Sequence, residues 1–152
     1  MIPDPTDLGL LIGRVQHGHH RALDEALAPL GVTLVQWNGL RALDRHPGAS
    51  QHALAEATFN SDQAMGALLQ RLLARGLVAR APGPGRALRH RLTPAGQAIL
   101  EQGRRLHADV LAQSMAALDA EERAALGRLL GKVLAPGGEE AVSVAQTGSS
   151  KA

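Results

Sequence analysis

Apolar positions in the first part of the chain recur at the spacing of an amphipathic helix. Between Thr6 and Ala28 they fall at Leu8, Leu11, Ile12, Val15, Ala22, Leu23, Ala26 and Leu27, which places them on one helical face. Thr6 is the expected N-cap, and Pro29 with Gly31 is expected to end the segment. The pattern predicts a long first helix with a single apolar stripe.

Helix-capping signals divide the central part of the chain into three shorter helices. Thr33 followed by Gln36 has the form of a capping box, in which each side chain accepts a hydrogen bond from the other residue's backbone N–H. Serine is also a favoured N-cap residue, and Pro-Gly or Gly stops a helix. The predicted helices begin at Thr33, Ser50 and Ser61 and end near Arg45, Ala57 and Arg75, with Ala53, Leu54 and Ala57 of the short helix facing inward.

The fourth predicted helix has two different faces. Its apolar stripe consists of Met65, Leu68, Leu69 and Leu72, and its opposite face of Gln63, Gly66, Ala67 and Gln70. Both sets follow the helical repeat. One face is therefore expected in the core, and the other is small and polar enough to meet a partner.

After Gly76 the pattern changes from helical to short strands. The segments 77–80 and 87–92 flank Pro82-Gly83-Pro84-Gly85, which cannot be helical and predicts a hairpin with a long loop. Thr93-Pro94 opens a fifth helix to about Leu118, and Asp119 with Glu122 caps a sixth to about Leu134. Residues 136–152 lack periodicity and are expected to form a disordered tail.

Composition limits the classes of protein that this chain can represent. Its 152 residues, 45% apolar and 20% charged, suit one globular domain over residues 1–135. The absence of cysteine excludes disulfides, thiol redox sensing and cysteine-bearing zinc sites. No stretch approaches the roughly 20 apolar residues of a membrane span, and no secretion signal begins the chain. A cytoplasmic protein is the expectation.

Positive charge is concentrated in one part of the chain. Residues 61–92 contain six arginines and one acid, Asp62, a net charge of +5, whereas the rest carries −3, which together give the +2 of the whole chain. Such asymmetry is typical of a surface that binds a polyanion, although charge alone equally fits a solvated arginine face.

The order of elements favours DNA over a merely solvated face. A short helix, a turn, a polar-faced helix and a two-stranded hairpin form a winged helix-turn-helix, in which the second helix enters the major groove. The arginines fall on these same elements, so the prediction is a mainly α fold of about six helices with a β-wing that binds double-stranded DNA. The candidate DNA-binding residues are Ser50, Gln51, Ser61, Gln63, Gln70, Arg71, Arg86 and Arg89.

Three segments resemble the multiple-antibiotic-resistance regulator (MarR) family over about residues 6–134. They are Gly31-Val32-Thr33-Leu34-Val35-Gln36-Trp37 followed by Leu40 and Leu43, then Leu72-Leu73-Ala74-Arg75-Gly76-Leu77-Val78, then Leu92-Thr93-Pro94-Ala95-Gly96. The resemblance implies a winged core at about 33–93, flanked by dimerisation helices at about 6–28 and 94–134. It also implies a homodimeric transcriptional repressor that releases DNA when a small molecule binds.

The chain departs from the family pattern in its wing and in its recognition helix. Arg86 fits the wing arginine that enters the minor groove in the family, but Pro84 stands where an aspartate is usual. Ala64, Gly66 and Ala67 replace the hydroxyl and arginine side chains of relatives. Base reading is therefore expected from glutamine, which can bond adenine in the major groove, together with Ser61. Asp62 could accept from cytosine or complement the helix dipole.

The resemblance also implies an effector pocket between the first, second and fifth helices, for which His19, Trp37 and Arg41 are the candidates. A core position for Trp37 and a surface position for Arg41 are equally compatible with the sequence.

A metal-responsive regulator is an alternative function, because His17 and His20 lie three residues apart on the first helix, although zinc needs three or four ligands. A winged helix used only for protein contact is another alternative. No cofactor is expected. With Asp24, these histidines form the only polar cluster available for catalysis, so an enzyme is not expected.

Overall fold

The computed structural model describes residues 3–85 and 88–134. In these ranges the helices are α1 Pro5–Leu27, α2 Leu34–Arg45, α3 Gln51–Ala57, α4 Asp62–Ala74, α5 Pro94–Ser114 and α6 Ala120–Leu134, and the strands are β1 Val78–Ala81 and β2 Arg89–Leu92. The predicted order of elements is confirmed. The predicted tail, 136–152, lies outside the described residues.

Short-range capping bonds explain where most helices begin. The Thr33 hydroxyl accepts from Gln36 N, and Gln36 Oε1 accepts from Thr33 N, both at 3.2 Å. The hydroxyls of Ser50 and Ser61 each accept at 3.1 Å from the backbone N–H three residues on. These side chains satisfy N–H groups that have no partner within the helix, so the predicted caps of α2, α3 and α4 are confirmed.

The start of α1 differs from the prediction. Asp4 is the N-cap, and its Oδ1 accepts from Thr6 N at 2.7 Å, with Pro5 in the first turn. Aspartate is as good a cap as threonine, and proline is favoured at the first helical position. The Asp-Pro pair therefore moves the helix start ahead of Thr6, whose predicted cap role was wrong.

The inward face of α3 also differs from the prediction. Leu54 and Ala55 are buried, whereas Ala53 and Ala57 are exposed. The helix has only seven residues, about two turns, so few of its positions can face the core, and these are Leu54 and Ala55. The expectation that Ala53 and Ala57 face inward was wrong.

Among the described residues, those up to Leu111 form one compact unit, and those from Ala112 to Leu134 form a second. In the first, the end of α1, the helices α2, α3 and α4, and the first part of α5 enclose a core. Its largest fully buried side chains are Trp37, Leu27, Leu40, Leu54, Met65, Leu69, Leu72 and Leu100. A Cβ at Gly96 would collide with the Leu77 carbonyl, so this glycine lets α5 lie directly against the backbone before β1.

The second unit contains α6 and the turn before it. Asp119 and Glu122 cap α6 reciprocally at 2.9 Å, as predicted. The helix α5 ends at Ser114, four residues before the predicted Leu118, and turn-type hydrogen bonds continue to Leu118. None of the helices in the described ranges has the length and apolar character needed to cross a bilayer.

Candidate nucleic-acid interface

The helix-turn-helix is held together by a contact between Gln51 and the start of α4. Gln51 Nε2 donates to Asp62 O at 3.0 Å, and the same amide lies against Gly66, where a Cβ would come within 2.9 Å of it. Gly66 therefore makes room for Gln51. Its place on the polar face of α4 is explained by helix packing rather than by DNA.

The two predicted serine contacts, Ser50 and Ser61, are the N-caps of α3 and α4. Each hydroxyl oxygen accepts one backbone hydrogen bond, and a hydroxyl so engaged can still donate its proton to an acceptor. A phosphate oxygen is such an acceptor. The caps thus fix the serine side chains beside the first turns of both helices.

The outward face of α4 is polar but sparse. Gln63, Gln70 and Arg71 are exposed, and the residues between them on this face include exposed Ala64 and Ala67. Short side chains let a helix approach the floor of a groove closely, while the amides remain to donate and accept. The predicted base-reading side chains therefore share one accessible helix face.

The sequence did not indicate a histidine that joins α3 to α4. His52 Nδ1 lies 2.9 and 3.1 Å from the two carboxylate oxygens of Asp62, and His52 Nε2 lies 3.6 Å from Glu56 Oε1. The hydrogen bond that Asp62 accepts from His52, the charge of Asp62 and the charge of Glu56 raise the pKa of His52. Asp62 is thus paired within the chain at the point where α4 begins.

The wing is an antiparallel pair in which Arg80 stands opposite His90, and Ala81 opposite Arg89. Arg80 and Arg91 are exposed, whereas Arg89 is half-buried, and its Nε is buried without a hydrogen-bond partner among the described residues. Burial, with the charge of Arg80, lowers the pKa of His90. Arg86, the predicted wing-tip contact, lies outside the described residues, as does Ala87.

Arg41, one of the candidate effector residues, lies beside Trp37, another, and the third, His19, acts electrostatically on the neighbouring His107. The indole is buried and donates from Nε1 to Leu100 O at 3.3 Å, Arg41 Cζ lies 5.2 Å from its ring centroid, and His107 stacks on it at 5.0 Å. Burial, then the charges of Arg41 and His19, lower the pKa of His107. Helical periodicity did not single out His107. It lies one helical turn beyond Gly103, which packs against Trp37 from the same face of α5.

Arg41 is the charged member of this cluster. Burial, together with the neighbouring guanidinium groups of Arg45 and Arg104, lowers its pKa, yet arginine remains protonated in proteins. Its half-buried positive charge lies beside an aromatic ring. Such a site is chemically suited to an aromatic anion.

The first-helix histidines do not form a cluster with metal-ligand geometry. His20 Nε2 lies 3.3 Å from Asp24 Oδ2, and Asp24 Oδ1 accepts from Leu34 N at 2.6 Å, which ties α1 to the start of α2. Across residues 3–85 and 88–134, no three His, Cys, Asp or Glu side chains are grouped so as to hold a metal ion.

A helix-turn-helix followed by a β-hairpin defines the class of winged helix-turn-helix proteins. A sequence model of the MarR family matches residues 30–87. The HTH-type transcriptional repressor Rv2887 of Mycobacterium tuberculosis is 33% identical over 134 residues, covering 87% of this chain and 96% of the relative. The multiple antibiotic resistance protein MarR of Escherichia coli is 35% identical over 130 residues, covering 84% and 90%. The chain therefore belongs to the MarR family. The relatives named above are regulators rather than enzymes.

Solved structures agree with this assignment. A mutant MarR from Escherichia coli complexed with operator DNA has a TM-score of 0.79 at 33% identity, covering 85% of this chain and 94% of that one. Rv2887 of Mycobacterium tuberculosis complexed with salicylic acid has a TM-score of 0.68 at 32% identity, covering 88% and 97%. The predicted mainly α winged helix-turn-helix fold is confirmed.

Proposed function

We propose that this chain is a homodimeric transcriptional repressor that binds a palindromic operator in double-stranded DNA and releases it when a small aromatic acid binds. The observation that carries the proposal is the exposed polar face of α4 beside a wing, within a segment of net charge +5. Relatives of the same fold include one complexed with operator DNA and one complexed with salicylic acid.

Within this proposal the residues of the helix-turn-helix have distinct roles. Gln63 and Gln70 read base edges from the major groove, because an amide can bond adenine N6 and N7 together. The cap hydroxyl of Ser61 joins them in touching base edges, whereas Arg71 and the cap hydroxyl of Ser50 contact phosphate. Gln51 acts indirectly by holding α3 against α4. Asp62 is paired with His52 and is not assigned to a base.

The proposed dimer is supported by apolar side chains that a single chain leaves in water. The helix α1 exposes Leu8, Leu11, Ile12 and Val15, and α6, taken by itself, exposes Leu129, Leu130, Val133 and Leu134. On each helix these side chains share one face, and an exposed apolar face of this kind is typical of interaction sites. In this proposal, helices 6–28 and 94–134 of two copies pack together around a two-fold axis, and the two winged cores, 33–93, face successive turns of DNA.

The proposed effector site comprises His19, Trp37 and Arg41, and we include His107 because it stacks on Trp37. A carboxylate would pair with half-buried Arg41, and an aromatic ring would lie beside the half-buried imidazole of His107, because the Trp37 indole is already covered. The test uses salicylate: it should release DNA from the wild-type protein, whereas Arg41→Gln should keep its DNA affinity and respond only at higher salicylate concentration. Equal release from both proteins would contradict the assignment of Arg41.

The central test of DNA recognition is selection of double-stranded DNA from a random library, followed by affinity measurements at several salt concentrations. Selected sites should be imperfect palindromes with half-sites roughly 10 base pairs apart. Arg71→Ala should weaken all sequences alike and reduce the salt slope by about one unit per site, and Arg86→Ala should weaken binding if the wing enters the minor groove. Failure to select any DNA would overturn the proposed function.

Oligomeric state is tested by sedimentation. A wild-type dimer at micromolar concentration is expected, and replacing Leu11 and Val15 on the exposed face of α1 with glutamate should shift it toward monomer. A folded wild-type monomer at that concentration would contradict the proposed dimer.

A further inference from the structure

His52 occupies an unusual position at the junction of α3 and α4. Its two ring nitrogens face two different carboxylates, Asp62 across the turn and Glu56 one helical turn further along α3. A neutral imidazole has a single N–H and can donate to only one of them. Nδ1 is within hydrogen-bond distance of Asp62, and Nε2 forms an ion-pair contact with Glu56. The geometry therefore favours the imidazolium, which presents an N–H to each carboxylate.

We propose that His52 is a positioning residue of the DNA interface, whose positive charge neutralises Asp62 so that the first turn of α4 can approach phosphate. This inference rests on the proposed function. Asp62 is the first residue of α4 and the single acid between residues 61 and 92. Its carboxylate lies where an approaching polyanion would be repelled.

The charge balance at this junction depends on one side chain. Asp62 and Glu56 are both exposed, with side-chain exposures of 60% and 71%, so their field reaches about 10 Å into solvent at ordinary salt. These two carboxylates are the charged groups that face His52 from α4 and from its own helix. With His52 neutral or replaced, both would be left without this cation beside the DNA.

A purely structural role for His52 would have different consequences. The α3–α4 contact also contains the Gln51 hydrogen bond to Asp62 O and buried Leu54, Ala55 and Met65. Because the His52 pair is exposed, its loss should leave folding intact. The effect should instead appear in DNA binding, and it should depend on pH.

The experiment measures DNA affinity from about pH 6 to about pH 9, a range that spans histidine titration. Wild-type affinity should fall as pH rises through the raised pKa of His52. His52→Gln should bind about threefold to fivefold more weakly at the acidic end, as expected for about one exposed charge interaction, and should lose this part of the pH dependence. His52→Gln combined with Asp62→Asn should recover the lost affinity, and His52→Arg should bind tightly at all pH values tested.

The matched control is His46→Gln, which removes another exposed histidine, and thermal unfolding checks that each variant is folded. If wild-type protein binds selected DNA and His52→Gln retains both its affinity and its pH profile, this inference alone is overturned. This inference is also overturned if His52→Gln combined with Asp62→Asn binds DNA as weakly as His52→Gln alone. If the wild-type protein selects no DNA, the proposed function fails and this inference fails with it.

Discussion

The surroundings of Trp37 and the outward face of α4 use side-chain volume in opposite ways. Trp37 is 1% exposed; its N–H is bonded to Leu100 O, and its ring is covered by Arg41 and His107. On α4, Ala64 and Ala67 leave the middle of the outward face nearly bare. Small residues therefore serve two purposes: Gly103 admits a neighbour already present, whereas Ala64 and Ala67 leave space for a partner.

The largest expected effect is that of a single methyl group added beside Trp37. A Cβ at Gly103 would collide with Trp37 Nε1 and with the adjacent ring atoms. The indole cannot move away without losing its hydrogen bond to Leu100 O. Gly103→Ala should therefore lower the free energy of unfolding by about 3 kcal/mol, measured by urea denaturation.

The control for this substitution is Gly18→Ala in α1. A Cβ at Gly18 has no other atom within 4 Å, so helix propensity alone should raise the free energy of unfolding by about 0.5–1 kcal/mol. Opposite signs for the two substitutions would show that packing decides the first. A neutral Gly103→Ala would mean that Trp37 is free to relocate.

On α4, truncation of an exposed side chain should leave stability unchanged and alter recognition. Gln63 is exposed, so Gln63→Ala should change the free energy of unfolding by less than about 0.5 kcal/mol. It should weaken operator binding by about 1–3 kcal/mol and relax preference at one symmetric pair of positions. Gln102→Ala, on the exposed face of α5, is the matched control and should change neither quantity. An unaltered preferred sequence for Gln63→Ala would remove this face from base reading.

Phe59, in the turn between α3 and α4, is the reverse of Trp37: a large ring with no packing. It is 99% exposed and has φ of 55°, a left-handed conformation that side chains with a Cβ disfavour. Phe59→Gly should raise the free energy of unfolding by about 0.5–1 kcal/mol, seen as a higher midpoint in urea. Phe59→Ala keeps the strained backbone and should give no such gain; equal gains from both would refute backbone strain as the cause.

The features that could be predicted from the sequence depend on residues close together in the chain. The caps at Thr33, Ser50 and Ser61 depend on atoms three residues apart, and the hairpin on a Pro-Gly loop, so pattern alone located them. The start of α1 was misplaced because Asp4 and Thr6 are both good caps and the sequence does not rank them. The fold class was predicted and is confirmed.

The candidate site was predicted less completely because its contacts join distant residues. Gln51 fills the space above Gly66, a pairing that requires the angle between α3 and α4. The ion pair of His52 with Asp62 depends on the same angle, and the stacking of His107 on Trp37 depends on where α5 crosses α2. Helical periodicity identifies faces, but it does not identify which residues meet across them.

The smallest expected effect is a loss of folding stability at acidic pH through the histidine that stacks on Trp37. Burial, Arg41 and His19 lower the pKa of His107 below its ordinary value of 6.5. The folded state therefore favours the neutral imidazole, so this contribution to stability is complete above about pH 6.5 and is lost as pH falls through the lowered pKa. His107→Phe keeps an aromatic ring on Trp37 and removes the titration. Its urea midpoint should fall less than that of the wild-type protein on acidification, with His46→Gln as the control for loss of an exposed histidine. His90, whose pKa is also lowered, is present in both the wild-type protein and His107→Phe, so its effect cancels. Parallel falls of the two urea midpoints with pH would show that His107 contributes nothing to acid sensitivity.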